Sequence, residues 1–386
     1  MFFRKQKIYS GVAFDIGTAG VSATLFEIRP QDARPHVLKT FRKFHKTSLR
    51  RNANHFSKSM TSQFSTLLED IKLFTQNKMP SVYLVGLSSI FYLGKTEHIY
   101  EKLLAGRTIT ARDIDGFIAS ARDKFLSGLE QGDVVVFETL LMRSVLNGYV
   151  IEQIIGKSAT ELELWVRFGA TSRELYDTFT KIIHSANPNA EIRFSTFPSV
   201  SWELMREVYF PAHSALMVDI GGELAEVTFL ADGIITEVLS LPFGVMNLLL
   251  RISEAERVDL ENALSMLRAY TEGVLTKETE NHIRAILKKE IKNWEEIFER
   301  VWQEAARQTM FDVKMLFLGG GGVVDDLKNA VVPPLLHPNL AKGLSTSVVT
   351  PEAFRDKFAT FAGFDGPGDF GLMALIIMYI SNKTNL

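Results

Sequence analysis

Apolar residues follow two rhythms along this chain. Short dense runs, closed by glycine or aspartate, predict buried strands at Tyr9 to Asp15, Val21 to Ile28, Ser81 to Ser88, Ala215 to Asp219, Val227 to Leu230, Ile234 to Leu241 and Val313 to Leu318. Elsewhere apolar positions recur every third or fourth residue. Phe64, Leu67, Leu68, Ile71 and Phe74 predict a helix from Thr61 to Asn77, which Pro80 closes off. Ile283, Leu287, Ile291, Trp294, Phe298 and Val301 form one stripe within a largely helical stretch from 245 to 309. Further helices are expected after Val324 and from Gly371 to Ile380.

The middle of the chain has a different texture. Thr110-Ala111-Arg112-Asp113 is a capping sequence for a helix reaching about Ser127. Strands are expected at Asp133 to Met142, Gly148 to Ile155 and Glu161 to Gly169, then a helix from Thr171 to Asn187. In the third strand Leu162, Leu164, Val166 and Phe168 alternate with Glu161, Glu163, Trp165 and Arg167, so one face is buried. The resulting division is a first α/β lobe at 1–89 and 181–200, a small inserted module at 90–180, a second lobe at 201–345, and a segment at 346–386 that returns to the first lobe. Segment 34–58 carries Arg34, Lys39, Arg42, Lys43, Lys46, Arg50, Arg51 and Lys58, and reads as a solvated loop or hairpin. With Phe41, Phe44 and Phe56 among these cations, contact with acidic lipid is the alternative.

Composition narrows the function. The 386 residues are 46% hydrophobic and 23% charged, which suits two or three globular domains. A net charge of −2 supplies no global pull toward nucleic acid or a lipid surface. There is no cysteine, so disulfides, thiolate catalysis and cysteine-ligated metals are excluded. The eight histidines show no metal-ligand spacing, and Ser199-Val200-Ser201 has no partnering histidine and aspartate nearby in the sequence. No signal peptide and no apolar run of about 20 residues is present, so a cytoplasmic location is expected.

One pattern repeats across a long separation. Phe14-Asp15-Ile16-Gly17 and Val218-Asp219-Ile220-Gly221 each end a strand, turn through glycine and enter another strand. An aspartate at a strand end beside free backbone N–H groups suits a polyphosphate with its magnesium ion, held mostly through water. Glycine lets the backbone approach a phosphate closely. A third element, Gly319 to Gly322, lies between a buried strand and a helix.

These three elements, in this order, resemble the superfamily of actin, the heat-shock ATPases and the sugar kinases, and imply its two-lobed, ribonuclease H-like fold. Val85-Gly86-Leu87-Ser88, Ile109 to Asp115, Gly148-Tyr149 through Leu162-Glu163, Pro242-Phe243-Gly244, Ala255-Glu256 and Gly366 to Leu372 narrow the resemblance to the bacterial cell-division FtsA family. In that family a small strand–helix–strand–strand module replaces one actin subdomain. The pilus-assembly PilM family is similar in architecture and is the rival. The resemblance implies ATP or ADP with Mg²⁺ as ligand. Asp15, Gly17 and Thr18 would form the first phosphate turn, and Asp219, Gly221 and Gly222 the second. Asp15 and Asp219 would face the metal, Glu256 the ribose, and Gly319, Gly320 and Gly321 the adenosine.

Implied partners are division proteins such as a tubulin-like tail, or pilus-assembly proteins, met through Val85 to Gly169, and further copies of the chain in an oligomer or filament. The chain closes at Ser381 to Leu386 without FtsA's amphipathic anchor, so membrane contact is expected to be indirect at most. Three departures predict weak or absent hydrolysis. The second turn reads Gly222-Glu223-Leu224-Ala225 where the family has glycine and two hydroxyl residues. Phe197 replaces an acid before Pro198, and Asp259 stands where a lysine is common.

Overall fold

The computed structural model describes residues 9–29, 32–44, 53–104, 107–129, 132–206, 214–308, 310, 313–331, 344–364 and 366–384. Two five-stranded sheets repeat one plan. The first contains β1 (Tyr9–Ile16), β2 (Gly20–Arg29), β3 (Asp32–Phe44), β4 (Val82–Leu87) and β9 (Glu191–Thr196), in the order β3-β2-β1-β4-β9. The second contains β10 (Ser214–Ile220), β11 (Ala225–Ala231), β12 (Ile234–Leu241), β13 (Lys314–Leu318) and β14 (Ser345–Val348), in the order β12-β11-β10-β13-β14. In each, the first strand lies at the centre, antiparallel to its hairpin partner and parallel to the fourth strand. Buried on both faces, these central strands are almost continuously apolar.

A third sheet forms the module. Its strands β5 (Leu93–Lys102), β6 (Val134–Leu146), β7 (Tyr149–Val150) and β8 (Glu161–Ser172) take the order β5-β8-β6-β7. Helix α2 (Ala111–Ser127) lays Ile114, Ala121 and Phe125 on one face of it, against Leu162, Leu164, Val166 and Phe168. The expected capping box is present: the Asp113 N–H donates to the Thr110 hydroxyl, and the Thr110 N–H to the Asp113 carboxylate.

Helices α1 (Ala53–Phe74) and α3 (Arg173–Ala186) cover the outer face of the first sheet. Phe64 packs there with its ring 4.5 Å from Phe14 and 4.7 Å from Phe179. On the second sheet lie α5 (Val245–Glu256), α6 (Leu260–Thr271) and α7 (Lys277–Arg307), with α8 (Asp325–Ala330) beside them. Between the two sheets sit α4 (Phe197–Met205) and α9 (Phe370–Thr384). They share one core with Ala13 and Leu84 of the first sheet and Met217 and Leu316 of the second. Leu372 to Ile376 are all buried, as expected of a helix enclosed on every side.

Several boundaries differ from the sequence expectation. The basic segment is a strand from Asp32 to Phe44 and a helix from Ala53, while its residues 45–52 lie outside the described residues. The strand holds because its charges are partnered. Lys43 meets Asp70 of α1 at 2.9 Å, and Lys39 lies over the Phe41 and Phe74 rings. The strand expected at Gly148 to Ile155 shortens to Tyr149–Val150. A polar strand, β5, was not expected; its buried Glu97 is neutralised by Lys95 at 2.6 Å and Lys124 at 2.9 Å. Among the described residues no helix is long and apolar enough to cross a membrane.

Candidate functional site

The two repeated turns face each other. Asp15 ends β1, flanked by Ser22 of β2 and Gly86 of β4; Asp219 ends β10, flanked by Glu226 of β11 and Leu318 of β13. The Glu223 N–H donates to the Thr18 hydroxyl across the crevice at 2.9 Å. A Cβ on Gly222 would stand 2.5 Å from both the Cβ and the N of Ala19, so only glycine permits that approach. Thr18, Gly221, Gly222, Asp15 and Asp219 are thus assembled at one place.

The glycine-rich loop closes the same site from the second lobe. Gly319 has φ +72°, and a Cβ there would fall 2.0 Å from an Asp219 carboxylate oxygen. A Cβ on Gly321 would meet Ile220 at 2.4 Å and Val245 at 3.0 Å, whereas one on Gly320 would meet nothing within 4 Å. The first N–H groups of α5 turn inward as well: Val245 donates to the Gly221 carbonyl and Met246 to that of Gly222, at 2.9 and 2.8 Å. Glu256, expected at the ribose, lies at the other end of α5, roughly 16 Å along the axis from Val245 at 1.5 Å per residue, and binds His282 at 2.7 Å.

The crevice is crowded with carboxylates. Burial and the neighbouring Asp369 push Asp15 up to about 7. Burial, Glu226 and Asp15 hold Asp219 well above the usual carboxylate range. Burial lifts Glu226 to about 7, against the opposing pull of a 2.8 Å bond from the Tyr92 hydroxyl and the nearby Arg167. Asp369, just before α9, takes two 2.6 Å bonds from Arg42 of β3. The Glu223 side chain is buried too. Beyond these, Glu138 of β6 accepts from the Thr196 N–H and from the Thr196 and Ser199 hydroxyls, and feels Arg167.

Sequence reasoning missed Arg42, Tyr92, Glu138, Arg167, Glu226 and Asp369. Glu226 was within reach by counting the hairpin register back from Asp219. The others meet the site across separations such as 134 residues for Tyr92 and Glu226, or 327 for Arg42 and Asp369, which no local pattern encodes.

These shifts fix a pH dependence. From about pH 4, where unfolded carboxyls ionise, to about 7, the folded cluster keeps protons that the unfolded chain has released. The cluster's contribution is therefore complete below about pH 4 and is lost as pH rises through 7. Asp32, Asp113 and Glu97 are lowered and act only below that window. The melting temperature should fall by about 2–4 °C between pH 6 and 8. A profile that rises over that range in calorimetry would contradict the burial of this cluster.

The comparisons agree with this geometry at the level of the fold. The sequence matches no protein-family model and no curated protein. The structure has the actin-like ATPase fold. It matches the PilM chain solved as the PilM–PilN type IV pilus biogenesis complex, with TM-score 0.63 and 15% identity, over 96% of this chain and 98% of that one. It also matches the ethanolamine utilization protein EutJ of Carboxydothermus hydrogenoformans, with TM-score 0.48 and 10% identity, over 95% and 89%. A Bacteroides thetaiotaomicron protein with an actin-like ATPase fold matches with TM-score 0.42 and 10% identity, over 88% and 90%.

Proteins of this fold generally bind a nucleotide with a metal ion. The residues here fit that group poorly. Glu223 N–H, a donor suited to a phosphate, is engaged by Thr18, and the α5 N–H groups are engaged by the glycine carbonyls. Arg42 is bound to Asp369, the carboxylate that neighbours Asp15. Among the described residues no three acidic or histidine side chains converge closely enough to hold a metal.

Proposed function

We propose that this chain is an actin-fold scaffold of type IV pilus assembly that holds a pilus-assembly protein, as PilM is paired with PilN in the type IV pilus biogenesis complex. The observation that carries this reading is the extent of the likeness to PilM, which covers 96% of this chain and so takes in the module as well as both lobes. The site supports a binding role over a catalytic one. Phe197 stands where the resemblance implies an acid able to position water.

The competing role, recruitment of a cell-division partner, is separated by a binding experiment. The purified protein is titrated with peptide segments of a PilN-like pilus-assembly protein of the same cell, and separately with the C-terminal tail of its tubulin-like division protein. The expected result is saturable binding of the pilus segment with a Kd of about 10 µM or tighter and none of the tail. The reverse outcome would restore the division reading, and binding of neither would remove both.

A further inference from the structure

We infer that this chain closes its two lobes with its own atoms, the Thr18 hydroxyl serving as the acceptor that a phosphate oxygen supplies elsewhere in the fold. The inference rests on the contact between the turns and is independent of the partner proposed above. In a cleft that clamps a polyphosphate, the ligand lies between the two turns and accepts from both. Here the second turn donates directly to the first.

Three observations converge. Three turn donors are engaged: Gly17 N–H by the Gly20 carbonyl at 3.0 Å, Gly221 N–H by that of Leu224 at 3.0 Å, and Glu223 N–H by Thr18 at 2.9 Å. The turns are in van der Waals contact, since a Cβ on Gly222 would overlap Ala19 at 2.5 Å; no layer of phosphate fits between those two residues. The crevice is acidic, and burial and mutual repulsion already raise its carboxyls. Asp15, Asp219, Glu223, Glu226 and Asp369 line or back the crevice; among the described residues Arg42 is bound to Asp369, and Arg167 acts on Glu226. A triphosphate would add its charges to this cluster in a medium of low dielectric.

The module completes the closure. Tyr92, next to the start of β5, donates its hydroxyl to Glu226 of the second lobe, a contact that spans the crevice and is buried. A nucleotide entering between the turns would have to break the Thr18–Glu223 bond and part Gly222 from Ala19. It would recover no unengaged N–H from Gly17, Gly221 or Glu223 in exchange.

Hydrogen–deuterium exchange and thermal melting of the full chain test this. In nucleotide-free buffer the Glu223 amide should be strongly protected, and about 5 mM Mg-ATP or Mg-ADP should raise the melting temperature by less than about 1 °C. Thr18→Val keeps the shape and removes the acceptor. It should raise exchange at Glu223 at least about tenfold while the β10 and β13 amides keep their protection. Thr18→Ser retains the hydroxyl and should keep Glu223 protected, which guards against a valine variant that fails to fold. Exchange of the wild-type Glu223 amide at the rate of an open loop would overturn the inference. So would a rise of about 3 °C or more with Mg-ATP.

Discussion

Arg167→Ala should lower the unfolding free energy by about 3–5 kcal/mol at pH 8. Arg167 stands on β8 with 2% of its surface exposed and is the positive charge facing Glu138, Glu226 and Tyr92. Without it, two buried carboxylates lose the charge that offsets their desolvation. Their folded-state affinity for protons then rises further, so the variant's deficit should shrink at pH 6, where the folded protein can keep both protonated. Denaturant titrations at the two pH values check this. Glu138→Gln with Glu226→Gln, added to Arg167→Met, should recover much of the loss, because a matched neutral set replaces a broken ionic one. An equal deficit at pH 6 and 8 would show that Arg167 contributes packing rather than charge.

Trp294→Ala should cost about 4–5 kcal/mol. The ring is fully buried on α7, 5.1 Å from Phe243 and 5.0 Å from Phe298. Its indole N–H donates to the Leu327 carbonyl of α8 at 3.0 Å. Truncation leaves a cavity and an unanswered carbonyl together, two terms that add. Trp294→Phe keeps an aromatic ring and should cost only about 1–3 kcal/mol. If both substitutions cost the same, the loss lies in the hydrogen bond and the packing argument fails. Since α8 follows the Gly319–Gly322 loop, the alanine variant should also loosen the crevice, visible as faster amide exchange at Gly320 to Val323.

The lobes were legible in the sequence because their central strands are buried on both faces. Runs such as Ala215 to Asp219 leave one interpretation, and the glycines after Asp15 and Asp219 mark where each strand must turn. The two turns could be paired from their matching order alone. β3 and β5 were hidden because their charges sit in strands and are matched by partners distant in sequence: Arg42 by Asp369, Lys43 by Asp70, Glu97 by Lys124. A count of charges registers solvation and is blind to such pairing. For Glu256 the resemblance implied a ribose contact; in the fold this residue ends α5 and pairs with His282.

The paired sheets share α4 and α9 as common filling, and the polypeptide passes from one half to the other twice, after α4 and again between β14 and α9. A body joined at two points resists twisting and sliding but still permits a scissoring motion. The Thr18–Glu223 bond between the two turns is a contact that such a motion would stretch. Any rearrangement that a partner imposes through the module should therefore be an angular change of one half against the other, with each sheet moving as a unit.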